Sequence, residues 1–400
     1  MSEAVIVATA RTPIGRANKG SLVDCRPDDL SALIISAVLA KVPNLDPGLI
    51  EDVIWGCGQP AGEAGTNIGR VAGILAGIDA PGVTVNRYCS SSLQTIRMAG
   101  HAIKAGEGDV FIAGGVETVS RFMHGAADTG PPNTKFGEAH DRTKAREAGG
   151  QPTWTPPTGF PDVYIAMGQT AENVREIENV GRTEMDEFAV QSHERALAAQ
   201  ANGFFDREIT PVTTPDGTVV SKDDGPRAGS TVEKLATLKP VFRPDGEVTA
   251  GNACPLNDGA AAVIVMSDTK AKELGITPLA RIVASGVSAL DPEIMGLGPI
   301  EASRQALERA GLTIEDIDLA EINEAFAAQA IPSAKHLGIP MDKLNVHGGA
   351  IALGHPFGMT GARIMTTLIN GLQTDGKRYG LETMCVGGGQ GMAMIVERLN

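Results

Sequence analysis

The apolar positions of the chain change period again and again. At the start, MSEAVIVATARTPIG carries a short apolar run behind a glutamate and reads as a first strand, not as a leader with a basic head. VLAKVPNLDPGLIEDVIWGCG reads as helix, short loop and buried strand. VTVNRYCSSSLQTIRMAGHAI reads as a strand at 83–85 that turns into a helix. In that helix Leu93, Ile96, Gly100 and Ile103 recur at helical spacing, and Gly106 is placed to close it. Strands alternating with helices predict an α/β sheet with crossover connections.

The pattern also repeats. ALERAGLTIEDIDLAEINEAF runs helix, loop, strand like the earlier segment, and Glu51-Asp52-Val53 matches Glu315-Asp316-Ile317, 264 positions on. DVFIAGG resembles ETMCVGG, with Gly114 opposite Gly387 at a shift of 273, and GAAAVIVM from Gly259 resembles GMAMIVER from Gly391. Gly115 and Gly259 are 144 positions apart, whereas Gly388 and Gly391 are three apart. Two similar halves, 1–270 and 271–400, are therefore expected, the first interrupted by an insert at about 122–248. The insert opens with Pro/Gly-rich GPPNTKFGE and GGQPTWTPPTGFPD, expected to be an extended surface loop. A helical pair follows, MGQTAENVREI and RTEMDEFAVQSHERALAAQ, the second with Met185, Phe188, Ala189 and Ser192 on one face. Such an insert either caps a binding cleft or forms a packing lobe.

Composition narrows the class. Apolar residues make up 42% and charged residues 20% of 400, which excludes disorder, collagen and coiled coil. Glycine is in excess, 49 residues, as a chain with many tight turns requires. A net charge of −14 argues against a nucleic-acid or acidic-membrane surface, so an anionic small ligand needs a local basic pocket. No run of 18 apolar residues occurs, so no membrane span is expected. The five cysteines, Cys25, Cys57, Cys89, Cys254 and Cys385, include no CxxC pair. They suggest neither a disulfide framework nor a metal site and fit a reducing, cytoplasmic setting.

Four positions combine reactive chemistry with a suggestive place. Cys89 sits where a strand turns into a helix. There the helix dipole is expected to lower its pKa and favour the thiolate, although a lone cysteine is also a good small core residue. His355 lies in the glycine-rich loop NVHGGAIALGHPFGMTGAR with His347 as a rival, and both can be plain loop histidines. Cys385 precedes Gly387, Gly388 and Gly389, whose amides can form an anion-binding concavity or simply a turn. Asn323, in AEINEAF, is either a site residue or a helix N-cap. If the halves face each other, two thiols, an imidazole and an amide meet at strand C-terminal ends, where open α/β sheets bind ligands.

Taken together, VNRYCSSSLQ, GGVE, VTAGNACPLNDGAAA, NEAF, GGAIALGHPFGMTGAR and CVGGGQG closely resemble the thiolases, the acetyl-CoA C-acyltransferases. The resemblance runs over the whole chain. It implies a five-layered αβαβα fold of two similar halves with an inserted loop domain. It also implies acyl transfer between CoA thioesters, either thiolysis of a 3-ketoacyl-CoA or the reverse condensation of two acetyl-CoA. It makes Cys89 the nucleophile, His355 its base and Cys385 the acid/base for the α-proton or leaving thiolate. Asn323 would hold a water that forms one oxyanion hole with His355, and the amides of Cys89 and Gly387 would form the other. Coenzyme A is implied as cosubstrate, with no tightly bound cofactor. Arg227 would meet its nucleotide, Ala250 and Phe326 would line the pantetheine tunnel, and Met167 and Met295 would shape the acyl pocket. A homodimer or homotetramer is expected. Ala166 stands where some members have His, and Cys254 where many short-chain members have Ser, so both bear on acyl-chain preference and not on the reaction. Two rivals predict different residues. A ketoacyl synthase of the same superfamily needs a second His where Cys385 stands, and a thiolase-like lipid or CoA binder lacks the nucleophile.

Overall fold

The structure is a computed structural model and describes residues 2–122 and 130–400. Its strands are β1 (Ala4–Arg11), β2 (Gly15–Arg16), β3 (Asp52–Gly56), β4 (Gly82–Val85), β5 (Val110–Thr118), β6 (Val212–Thr213), β7 (Val219–Val220), β8 (Asn257–Ser267), β9 (Ala280–Ala289), β10 (Leu319–Ile322), β11 (Tyr379–Val386) and β12 (Gln390–Arg398). Its helices are α1 (Pro27–Ala40), α2 (Ile68–Leu75), α3 (Ser91–Ala105), α4 (Gly137–Glu147), α5 (Met167–Glu178), α6 (Arg182–Ala201), α7 (Val232–Ala236), α8 (Asp268–Glu273), α9 (Gly298–Ala310), α10 (Ala327–Leu337), α11 (Ala350–Leu353) and α12 (Thr360–Thr374).

Hydrogen bonding orders the large mixed sheet as β10-β11-β12-β9-β1-β8-β5-β3-β4, with β2 paired to β8. The path is two similar runs meeting at a seam. β1 and β9 share only the pairs Val5↔Arg281 and Ile6↔Ala280, while β5 and β8 stay in register from Val110↔Met266 to Thr118↔Asp258. A lone parallel bridge between Ala320 and Leu344 stands beside β10 where β4 stands beside β3.

Side-chain alternation explains the layers. Along β8, Ala261, Val263 and Val265 face one core while Ala260, Ala262, Ile264 and Met266 face another. A strand covered on both faces reads as an unbroken apolar run. The second of these cores is closed by Leu30, Ile34, Val38 and Ile68 of α1 and α2. The first holds α3 and α12, whose Leu93, Ile96, Ile364 and Leu368 lie between β8 on one side and Met384, Met392 and Met394 on the other. A third core sets Ala302, Ala306 and Ala328 of α9 and α10 against Leu381, Ala393 and Ile395. Helices, sheet, helices, sheet, helices follow in turn, the five-layered αβαβα arrangement expected from the motifs. α3 and α12 approach closely because Gly361 has no side chain, since a Cβ there would lie 2.3 Å from the Leu93 nitrogen.

Two sequence readings need correction. Ser91 and Thr360 begin equivalent helices, and Val110 and Tyr379 begin equivalent strands, each pair 269 positions apart. Gly114 is therefore equivalent to Thr383, not to Gly387, and the 273 shift was four positions out. Two glycines matched by composition serve different ends. Likewise, the Pro/Gly-rich opening of the insert is not one extended loop. α4 interrupts it, with Ala139 and Thr143 buried and Arg146 bonded to Glu176 (2.8 Å) and Asn173 (3.1 Å) on α5. Trp154 is buried too, donating to Glu293 at 2.7 Å. The predicted helical pair is α5 and α6. Between β5 and β8 the excursion spans 119–256, and residues 123–129 of it lie outside the described residues.

Candidate active site

Cys89 sits in a one-turn helix, Tyr88–Ser90, between β4 and α3. Tyr88 just before it has a φ of 43°, a left-handed conformation that costs a bulky residue energy and is typical of strained functional turns. The turn is braced from within: Arg87 N–H donates to the Ser91 hydroxyl (2.9 Å), which donates to the Tyr88 carbonyl (2.7 Å). Cys89 is 8% exposed. The Gly387 amide of the other half and the residue's own amide both favour the charged form of its sulfur. Even so, burial and the nearby Glu117 push the thiol up to about 11. This reverses the expected lowering by the helix dipole: at a buried site, desolvating a thiolate outweighs a helix terminus. The resting Cys89 is a neutral thiol.

His355 is fully buried, and its tautomer follows from its neighbours. The Thr360 hydroxyl donates to the Pro356 carbonyl at 2.7 Å, so at 2.6 Å from Nδ1 it must accept. Nδ1 therefore carries the proton and Nε2 its lone pair, toward which Asn323 Nδ2 donates at 3.3 Å. Burial and the Arg363 charge push the imidazole down to about 3, so it rests neutral. Its backbone is fixed by Asn257, whose Oδ1 accepts the His355 N–H at 2.9 Å. Gly354 before it has φ 115°, and a Cβ there would sit 2.6 Å from the Asn257 side chain, so only glycine fits. No hydrogen bond joins Cys89 to His355 among the described residues, as is common before substrate tightens a site.

Asn323 is no N-cap, because α10 begins only at Ala327 after Phe326. Its side chain is free to face His355, and its Oδ1 has no hydrogen-bond partner among the described residues. Cys385 is fully buried at the end of β11. Burial first, then the neighbouring Cys89 and Cys254, raise its pKa well above the ordinary range. Cys254 is likewise raised by burial and by Cys89. The three thiols therefore form one electrostatic group. His347 is elsewhere: it stacks on Phe204 with centroids 3.6 Å apart.

A cavity of about 290 Å³ is lined by Arg227, Ala250 and Cys254 together with Arg16, Lys19, His193 and others. Phe326, Met167 and Met295 do not line it. They lie in the third core, where Phe326 forms a bridge with Ala253 and packs edge-on against Phe242. The Arg227 N–H donates to His193 Nδ1 at 3.2 Å, leaving Nε2–H as the histidine's donor. Burial and Arg227 hold that histidine neutral, at about 4.

Comparison with known proteins decides the family. The description "Thiolase, N-terminal domain" matches residues 4–269 and "Thiolase, C-terminal domain" matches 276–398. The chain belongs to the thiolase family. It is 46% identical over 410 residues to the 3-ketoacyl-CoA thiolase of Shewanella loihica, and 44% identical over 409 residues to the beta-ketoadipyl-CoA thiolase of Acinetobacter baylyi, with 100% of each chain covered in both cases. The crystal structure of the Bacillus anthracis acetyl-CoA acetyltransferase superposes with a TM-score of 0.86 at 39% identity, covering 100% of this chain and 99% of that one. This thiolase is thus an acyltransferase enzyme.

Several residues that shape the site of this thiolase escaped the sequence reading. The Glu117 carboxylate accepts from the amides of Gly58 (2.8 Å), Gln59 (3.2 Å) and Gly358 (2.9 Å), tying the His355 loop to the end of β3. Burial outweighs those donors and pushes it up to about 7. Glu324 accepts from Ser192 (2.6 Å), Asn345 (2.8 Å) and the Ile351 amide (3.1 Å), joining NEAF to the same loop. Glu117, Asn257, Glu324 and Thr360 all stand inside the motifs GGVE, PLNDGAAA, NEAF and GMTGAR. The signal was present, but as supporting positions and not as reactive ones.

Proposed function

We propose that the enzyme transfers acyl groups between CoA thioesters through a thioester on Cys89, cleaving 3-ketoacyl-CoA with CoA or running the reverse condensation. The observation that carries this is the meeting of the two halves at one buried thiol, where the Gly387 amide from the turn after Cys385 acts to stabilise the Cys89 sulfur's charged form. Both Cys89 and His355 rest neutral, so the thiol proton passes to Nε2 as the sulfur attacks the keto carbon, and the imidazolium can then donate to the oxyanion. The bond between Cα and the keto carbon breaks, the acyl group stays on Cys89, and Cys385 protonates the departing enolate of acetyl-CoA. CoA then gives its thiol proton to the enzyme, attacks the thioester and leaves as the shortened acyl-CoA. Asn323 Nδ2 and the Gly387 amide are the proposed donors to developing negative charge.

Coenzyme A is proposed to enter by the cavity of Arg227, Ala250 and Cys254, with Met167, Met295 and Phe326 forming the apolar wall behind. The names of the relatives share a 3-ketoacyl or acetyl thioester of CoA, which supports that substrate class and a place in fatty-acid degradation. A thiolysis series of 3-ketoacyl-CoA esters from four carbons upward tests it. Turnover with ping-pong kinetics is expected, and no thiolysis of any ester refutes the reading. A homodimer or homotetramer is part of the proposal, on the outer edge of β4, which no strand among the described residues pairs. Light scattering tests it, and a monomer would refute it.

A further inference from the structure

Two segments from opposite halves meet around Cys89: the turn Tyr88–Ser90 that bears it, and Gly387–Gly389, which joins β11 to β12. The second turn carries the Gly387 amide, which favours the charged form of the Cys89 sulfur, yet three glycines in a row give it no side chain of its own to fix it. Gly388 and Gly389 both have a left-handed φ, 76° and 78°. The far end is held by backbone, with the Gly389 carbonyl accepting the Leu290 N–H at 2.8 Å. The near end, where the amide lies, is held by side chains.

Arg87, two residues before Cys89, supplies that hold. Its Nη1 donates to Gln390 Oε1 at 2.7 Å and its Nε to Gln94 Oε1 at 3.0 Å. A guanidinium only donates, so the Gln390 atom facing it is the oxygen. The Gln390 nitrogen is thereby turned back onto the Gly387 carbonyl, to which it donates at 3.3 Å. The Tyr88 ring closes the other side, because a Cβ on Gly387 would lie 3.4 Å from it. The Arg87 N–H also donates to the Ser91 hydroxyl that braces the Cys89 turn. One residue therefore holds the turn of the thiol by its backbone and the turn of the amide by its side chain.

Among the described residues no carboxylate pairs with Arg87, although acids outnumber bases 48 to 34 in this chain. It is half-buried, and burial lowers its pKa. A cation kept partly out of water on two neutral amides is a costly way to join two turns. What it adds over a neutral link is a rigid fork with fixed donor directions.

We propose that Arg87 is a positioning residue for acyl transfer: through Gln390 it keeps the Gly387 amide aimed at Cys89. This rests on the acyl-transfer reading above and names the parts that hold one of its donors. Arg87 acts through the turn and not on the sulfur itself, which answers to burial, the two amides and Glu117.

The test reads Cys89 in two ways. The pH dependence of its alkylation by iodoacetamide reports how well the thiolate is held, with no CoA substrate present. Steady-state thiolysis of acetoacetyl-CoA separates kcat from KM. Gln390→Met keeps the length of the side chain and removes both of its bonds, and Gln390 is only partly buried, so the fold is kept. It should move the alkylation midpoint to higher pH and lower kcat by about 10–100-fold, part of the ~10²–10³ that losing an oxyanion donor costs, with the KM for CoA little changed. Arg87→Lys keeps the charge without the fork and should do the same. The double variant Arg87→Lys/Gln390→Met should be no slower than either single one, since both cut the same link. Glu117, Cys254 and Cys385, whose charges also bear on this group of thiols, are unaltered in all three. A Gln390→Met enzyme with the wild-type alkylation profile or the wild-type kcat, or a double variant whose losses multiply, overturns the bridge while leaving acyl transfer standing. A wild type that performs no thiolysis overturns the acyl-transfer reading, and the alkylation profile then still decides the bridge.

Discussion

Each half presents a reactive side chain just before a helix of the central layer, after β4 in the first half and after α11 in the second, and the two turns do different work. Before α3 the chain offers a thiol, held by a left-handed Tyr88 and a serine that braces the turn from within. Before α12 it offers an imidazole, held from outside by Asn257 and from the next helical turn by Thr360. The strand connections differ more sharply. β11 and β12 are joined by Gly387–Gly389, tight enough to aim an amide at Cys89, whereas β5 and β8 are joined by 119–256, which carries Arg227 and walls the cavity. The two halves share a frame and differ most in the length of this one connection. In this reading the short connection supplies chemistry and the long one supplies affinity.

The comparison can be broken most severely at the second turn. His355→Ala removes the nitrogen lone pair facing Asn323 and should lower kcat by about 10²–10⁴-fold with little change in cavity binding. Steady-state kinetics decide it, and a loss confined to KM would place His355 in binding.

Removing the binding arm should have the opposite signature. Arg227→Ala is expected to raise the KM for CoA, at a cost of about 1–3 kcal/mol, with a smaller effect on turnover. A CoA KM equal to wild type would move nucleotide binding out of the long connection.

Glu117 ties the His355 turn to the end of β3, and its titration gives a pH test. Its folded pKa of about 7 lies above the ordinary 4.5. The stability it contributes is therefore complete below the unfolded value and is lost as pH rises through 7. Relative to Glu117→Gln, wild type should lose on the order of 1–3 kcal/mol of unfolding free energy between pH 5 and 8. Parallel denaturation curves for the two proteins across that range would show that Glu117 is ionised throughout.

The mildest change tests the boundary between the two roles. Cys254 lines the cavity and lies near enough to Cys89 for that thiol to raise its pKa. Cys254→Ser replaces a weak donor by a hydroxyl and should shift chain-length preference by a few-fold, within about 1 kcal/mol. Complete inactivation would mean that Cys254 takes part in the chemistry.

Much of this was legible from residues alone. The place of Cys89 at a strand-to-helix turn, α5 and α6 from their apolar faces, and the halves from their repeated order all follow from local periodicity. What stayed hidden depends on long-range packing. The 269 shift was masked because glycines recur for unrelated steric reasons, and α4 was masked by prolines that flank it without entering it. Cys89 was expected to be acidified by its helix, but a sequence does not record how much water folding removes. Arg16 and Lys19 lie some 210 positions from Arg227 and line one cavity with it where Asp223 and Asp224 bond to the segment after β1.

The central claim is that Cys89 forms the covalent bond while Cys385 moves the α-proton. Intact-protein mass spectrometry of enzyme mixed with acetyl-CoA, paired with NMR of α-proton exchange in deuterium oxide, separates the two roles in one experiment. Cys89→Ala should form no acetyl adduct. Cys385→Ala should still acetylate slowly at Cys89 yet stop the exchange. A Cys385→Ala enzyme that exchanges α-protons at the native rate, or a Cys89→Ala enzyme that still acetylates at another thiol, would contradict the account.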